Sequence, residues 1–260
     1  MFPDTIVVPL DGSEFAARAL PVAHAFVRQT SGRLLLVTTR WDDDVRTASD
    51  YLAEISAAYR DVDVSSILIA DQPAASAIEL VATESPGRVV CMTTHGRGRV
   101  RWALLGSVAE EIVRGSSGPV MLLGRHCRTE WPYNFRKMVV CVDGMSAAPA
   151  VEPDAVDWAK TLGLDVHIAT VIHPLDQVGP DATLHAIVER MQAQGVQART
   201  CVLRSSYPGG AIADFADSID ADLVAMSSHA RAGGARVALG SITMSVVGMA
   251  RCPVLIHRTT

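Results

Sequence analysis

Residues able to do chemistry gather at three places in the first half of this 260-residue chain. Asp11 brings a carboxylate directly after a short apolar run, and Thr94-His95-Gly96-Arg97-Gly98 follows another. Gly106-Ser107 then opens a stretch with helical spacing of its apolar residues. The first N–H groups of a helix have no partner inside it and together carry about half a positive charge. Glycine lets an anion approach that backbone closely, and the Ser107 hydroxyl can add a hydrogen bond, so a phosphate fits there. Arg97, Arg99 and Arg101 alternate through the intervening loop, and guanidinium groups pair well with phosphate oxygens. The plain alternatives stay open: Ser107 as a simple cap, Gly106 and Asp11 as turn residues, the arginines as solvated or bound to surface carboxylates. Gly96-Arg97-Gly98 is not a dinucleotide fingerprint, because Arg101 stands where the third glycine would be needed.

These groups act together only if the chain carries them to one edge. The β-branched run 6–10 reads as a strand, and Ser13 is an N-cap candidate for one helix running through Ala16, Ala19, Leu20 and Ala23. Further strands are expected at 34–37, 64–69, 88–92 and 120–123, with helices near 48–59, 74–82 and 107–114. Continuous apolar strands alternating with helices predict a parallel sheet covered on both faces, an α/β fold. Such sheets bind ligands beyond the carboxyl ends of their strands, where strand order reverses. Asp11 and the loop after the fourth strand therefore face one crevice if the first and fourth strands are neighbours.

The same pattern occurs twice. Asp11-Gly12 returns as Asp143-Gly144, 132 residues on, while His95, Leu105-Gly106-Ser107 and Pro119-Val120 return as His229, Leu239-Gly240-Ser241 and Pro253-Val254, each 134 residues on. Four ordered matches at a nearly constant offset mark a duplicated unit. The second copy predicts strands at 139–142, 166–171, 198–203, 223–226 and 254–256, with helices near 151–162, 184–193, 211–216 and 241–250. Two domains follow, 1–126 and 137–260, joined by a linker over 127–136 whose Trp131, Pro132 and Tyr133 are expected to pack between them.

Composition narrows the function classes. With 49% hydrophobic and 20% charged residues the chain is an ordinary globular protein. Its net charge of −5 offers no general cation excess for a nucleic-acid backbone. Five widely spaced cysteines without a CxxC pair fit reduced thiols, and Cys91, in an apolar strand, reads as an inert core thiol. No signal segment or run of about 18 apolar residues is present, so no membrane partner and a cytoplasmic location are expected.

The chain resembles the universal stress proteins in their tandem two-domain form. The resemblance rests on Val-Pro-Leu-Asp-Gly-Ser-Glu at 8–14, His-Gly-Arg-Gly at 95–98, Leu-Leu-Gly-Ser-Val-Ala-Glu at 104–110 and Gly-Pro-Val-Met-Leu-Leu at 118–123. It implies, per domain, an adenine-nucleotide α-hydrolase-like fold with a five-stranded parallel sheet of order 3-2-1-4-5. It also implies that the final strands, 120–123 and 254–256, pair the domains as an intramolecular pseudo-dimer; a monomer and a homodimer both stay open. ATP-binding members carry Gly-x2-Gly-x9-Gly-Ser/Thr. Here Thr93-Thr94-His95-Gly96, nine residues and Gly106-Ser107 keep two glycines of three, with Thr93 adding a β-branched side chain at the first. By position, Asp11 would accept from the adenine amine, and Pro9 with Val37 or Thr38 would line the base. Gly96, Gly106, Ser107 and Val108 would hold phosphate, and His95 would either orient ribose or phosphate or make a structural hydrogen bond. The second copy reads Ser227-Ser228-His229-Ala230 before Gly240-Ser241, so Asp143, Gly240 and Ser241 are expected to form a weaker or empty pocket.

Three functions follow from different classes. The leading one is a non-enzymatic stress-response regulator that binds ATP, with or without Mg2+, in the first domain and works through an unidentified protein partner. The second is a nucleotide-free scaffold whose pocket has decayed, as Thr93, Ser227 and Ala230 suggest. The third is an enzyme that hydrolyses ATP or acts as an ATP pyrophosphatase. Those chemistries use Ser-Gly-Gly-x-Asp-Ser or His-x-Gly-His to stabilise phosphate charge, and neither occurs in the chain. No catalytic residue is assigned.

Overall fold

The computed structural model describes residues 3–39, 45–95, 105–116, 118–131, 134–143, 151–176, 182–229 and 239–259. The chain divides into two compact α/β units. Residues 3–123 and Thr129–Asn134 belong to the first, Gly124–Arg128 and Phe135–Thr260 to the second.

In the first unit the order is β1 (Thr5–Pro9), α1 (Glu14–Ala17), α2 (Ala19–Thr30), β2 (Arg33–Thr39), α3 (Val45–Ala58), β3 (Asp63–Ile69), α4 (Ala74–Thr83), β4 (Arg88–Thr93), α5 (Ser107–Gly115) and β5 (Val120–Leu123). All ladders are parallel: β1 lies between β2 and β4, β3 flanks β2, and β5 flanks β4. Ile6, Val7, Val8, Leu34, Leu36, Cys91, Met121 and Leu122 are fully buried, as expected of strands covered on both faces. On β3, at the sheet's edge, Asp63, Ser65 and Ser66 are exposed.

The second unit repeats the plan with β6 (Lys137–Cys141), α6 (Glu152–Leu162), β7 (Asp165–Ile172), α7 (Ala182–Ala193), β8 (Ala198–Arg204), α8 (Pro208–Ser218), β9 (Leu223–His229), α9 (Ser241–Met249) and β10 (Val254–Thr259). Here β6 lies between β7 and β9, with β8 outside β7 and β10 outside β9, all parallel. Trp158, Met138, Ile168 and Leu184 centre its core.

One expectation needs correction. The helix after Ser13 is not continuous but breaks at Arg18 into α1 and α2. The cause is Pro21, which has no N–H for the Ala17 carbonyl and whose ring crowds it. At the break Arg18 turns its N–H to Phe15, closing a tighter turn.

Candidate functional site

At the carboxyl end of the first unit's sheet lies a cavity of about 360 Å3, within the roughly 300–1,000 Å3 of small-ligand sites. Three strand ends and three helices build it. From β1 come Pro9, Leu10 and Asp11; from β2 come Val37, Thr38 and Thr39. Beyond β4 stand Thr93, Thr94 and His95, and the first turn of α5 adds Ser107, Val108 and Ala109.

Local bonding fixes each group. Gly12 has φ of 78°, a left-handed turn that returns the chain toward the end of β1. This brings the Ser13 N–H and hydroxyl to the same Asp11 oxygen, Oδ1, at 3.0 and 2.6 Å. Ser13 Oγ in turn accepts from the Ala16 N–H at 3.1 Å and caps α1. The Thr38 hydroxyl, buried, donates to the Leu10 carbonyl at 2.7 Å and ties β2 to the end of β1. Thr94 Oγ1 lies 3.0 Å from His95 Nδ1, and Phe15 meets the imidazole edge-on at 6.2 Å between ring centres, so His95 has protein partners on two sides.

Gly106 is the N-cap of α5. Its N–H donates to the Thr94 carbonyl at 2.6 Å, and a Cβ there would stand 3.1 Å from that same oxygen. Lacking a side chain, Gly106 itself offers no capping acceptor to the amides of the first turn of α5, which stand at the positive end of the helix dipole. These amides belong to residues that line the cavity. Among the described lining residues Asp11 is the one carboxylate, and none is lysine or arginine. Among the described residues no cluster of three or more His, Cys, Asp or Glu could hold a metal ion.

Eight residues expected from the sequence to hold the nucleotide line this cavity: Pro9, Asp11, Val37, Thr38, His95, Gly106, Ser107 and Val108. Gly96, Arg97, Arg99, Arg101 and Ala230 lie outside the described residues. In the second unit Asp143, Gly240 and Ser241 are exposed, at the end of β6 and the start of α9. Gly240 is again an N-cap, but a Cβ there would meet nothing within 4 Å. The sequence reading leaves out Ala16, Ala74, Ile78 and Met92, which also line the cavity. Apolar residues on a helix or strand look the same in sequence whether they face a core or a ligand.

The universal stress protein family model matches residues 3–124 and again 134–258, and the chain belongs to that family. A universal stress protein of Mycobacterium tuberculosis is 24% identical over 237 residues, 84% of this chain and 78% of its own. Another from the same organism is 27% identical over 191 residues, 65% of this chain and 58% of its own. Among solved structures, a universal stress protein from Archaeoglobus fulgidus superposes with a TM-score of 0.70 at 20% identity, covering 98% of this chain and 96% of that one. Among the described residues no helix is long and apolar enough to cross a membrane.

Proposed function

We propose that the first unit binds an adenine nucleotide, ATP foremost, and that the protein is a non-enzymatic stress-response regulator of the cytoplasm acting through a partner that senses the bound state. The observation that carries this reading is that Asp11 and the uncapped first turn of α5 line one cavity. The apolar walls, Pro9, Leu10, Val37, Ile78 and Met92, suit a purine, and Asp11 suits its amine. The α5 amides and the Ser107 hydroxyl suit phosphate, and the family motif adds Gly96 to them. Binding of this kind asks for no general base or nucleophile. Asp143, Gly240 and Ser241 form the weaker second site.

The test is to heat the purified protein, chromatograph any released nucleotide, and titrate ATP by calorimetry. Asp11→Ala and Ser107→Ala should each weaken ATP about tenfold, the loss of roughly one charge-assisted or helix-terminal hydrogen bond, while Ser241→Ala changes less. A nucleotide-free scaffold is the second reading. It is favoured by the hydroxyls of Thr38 and Thr93, which are already bonded to backbone carbonyls. No retained nucleotide and no heat at millimolar ATP would establish it. Turnover abolished by a single substitution would instead mark an enzyme.

A further inference from the structure

We infer that Ser13 is a positioning residue that makes the first unit's pocket select an amino purine over an oxo purine; this rests on the adenine-nucleotide reading above. Ser13 Oγ accepts the Ala16 N–H, so its own proton is left to point elsewhere, and Asp11 Oδ1 lies 2.6 Å away to receive it. The Ser13 N–H reaches the same oxygen at 3.0 Å. Two donors on one oxygen hold the carboxylate's rotation and keep that oxygen an acceptor. A carboxylate held in this way at the cavity wall matches a ring amine, which donates. An oxo group at the same position would set acceptor against acceptor, and its ring N1–H could reach the carboxylate only by moving the base from the pose that suits the amine.

The duplication supplies a contrast within the same chain. Asp143-Gly144 repeats Asp11-Gly12, but Met145 stands where Ser13 does and has no hydroxyl to offer. Residue 145 lies outside the described residues, and Asp143 is exposed. Selection by this device therefore belongs to the first unit.

The experiment titrates the full chain with adenosine monophosphate and inosine monophosphate, which differ at position 6, amino against oxo, and at the adjacent N1, an acceptor in the first and an N–H donor in the second. Wild-type protein should prefer the adenosine form by about tenfold or more, the penalty of an unmatched polar pair. Ser13→Ala should weaken that form several-fold and narrow the preference to about threefold or less, while Ser13→Thr, which keeps the hydroxyl, restores both. Because Ser13→Ala also removes the α1 cap, Asp11→Asn gives a second measurement with the cap intact. The two Ser13 donors then claim the amide oxygen, the cavity wall gains an N–H donor in place of a carboxylate oxygen, and preference turns toward the inosine form. Adding Ser13→Ala to Asp11→Asn should erase that reversal. Unchanged preference in Ser13→Ala, or no reversal in Asp11→Asn, overturns the assignment to Ser13 while leaving the nucleotide site standing. Wild-type protein that binds neither nucleotide, ATP included, removes the site and this inference with it.

Discussion

The Thr93 hydroxyl donates to the carbonyl of His95, two residues further on, across 2.7 Å. By the family resemblance, Thr93 falls at the first glycine of the Gly-x2-Gly-x9-Gly-Ser/Thr pattern. Its hydroxyl is spent on the backbone, and the cavity stays open beside it.

Thr93→Gly should therefore raise ATP affinity by about three- to tenfold by giving the ligand closer access to the backbone, at a cost of about 1–2 kcal/mol for an unpacked strand glycine. Thr93→Val keeps the shape, strips the His95 carbonyl of its donor, and should cost about 1 kcal/mol with no gain in affinity. Calorimetry and urea denaturation of the two variants side by side decide the matter. Weaker binding by Thr93→Gly would mean that Thr93 is a ligand contact.

Gly106 and Gly240 occupy the same position in the two repeats yet should answer differently to alanine. At Gly106 the new methyl would press on the Thr94 carbonyl, at 3.1 Å, whereas at Gly240 it meets open space. Gly240→Ala should cost no more than the few tenths to about 1 kcal/mol of a poorer N-cap. Gly106→Ala adds the displacement of Thr94 to that cost and should also weaken ATP. Equal denaturation midpoints for the two variants would contradict the close approach.

In the second unit Arg190 clasps Glu152 with two hydrogen bonds, 2.8 Å from Nε and 2.7 Å from Nη2, joining α7 to the start of α6. Glu152 is nearly buried and Arg190 partly exposed. Arg190→Ala strands the carboxylate and should cost about 1–3 kcal/mol, discounted from the value of a fully buried pair because the guanidinium still meets water. Arg190→Lys should recover only part of this, since an ammonium cannot form the fork. Thermal melts of the three proteins measure it.

Burial pushes the Cys141 thiol from an ordinary value of about 9 up to about 12. The folded state thus holds its proton more tightly than the unfolded one. The resulting stability is complete below pH 9 and drains away as pH climbs toward 12. Within that window Cys141 should remove about 1.4 kcal/mol per pH unit. Cys141→Ala should flatten the alkaline limb of the stability curve measured by urea denaturation between pH 8 and 11. An alkaline limb unchanged in the variant would assign the loss to other groups.

What could be read in advance followed the physics of short-range signals. The strands announced themselves because covered parallel strands are continuous apolar runs, as Ile6-Val7-Val8 and Val89-Val90-Cys91 are. Asp11 and Gly106 were legible only in combination, because an aspartate after a strand and a glycine before a helix are each ordinary turn or cap residues when taken alone. The alanine spacing across Ala16, Ala19 and Ala23 reads as one helix, whereas the break at Arg18 follows from the missing N–H of Pro21. Ala74 and Ile78 reach the cavity from α4, more than 60 residues after Asp11, through a fold that no local pattern encodes. The Ser13 cap on the Ala16 N–H is legible in the sequence, whereas the bonds from Ser13 to Asp11 are not, since they depend on the left-handed turn at Gly12.

The placing of β1 between β2 and β4 has a bearing on biosynthesis. Within the first unit β1 is made before the strands that flank it, and it ends enclosed, with Ile6, Val7 and Val8 wholly covered. On one flank its partners are Val89 and Val90, which emerge only after some eighty further residues have been made. During that interval a sticky edge waits for its neighbour, and the second copy, whose β6 waits likewise for β9, repeats the hazard. A nascent chain of this protein therefore passes twice through a stage in which a chaperone has something to hold.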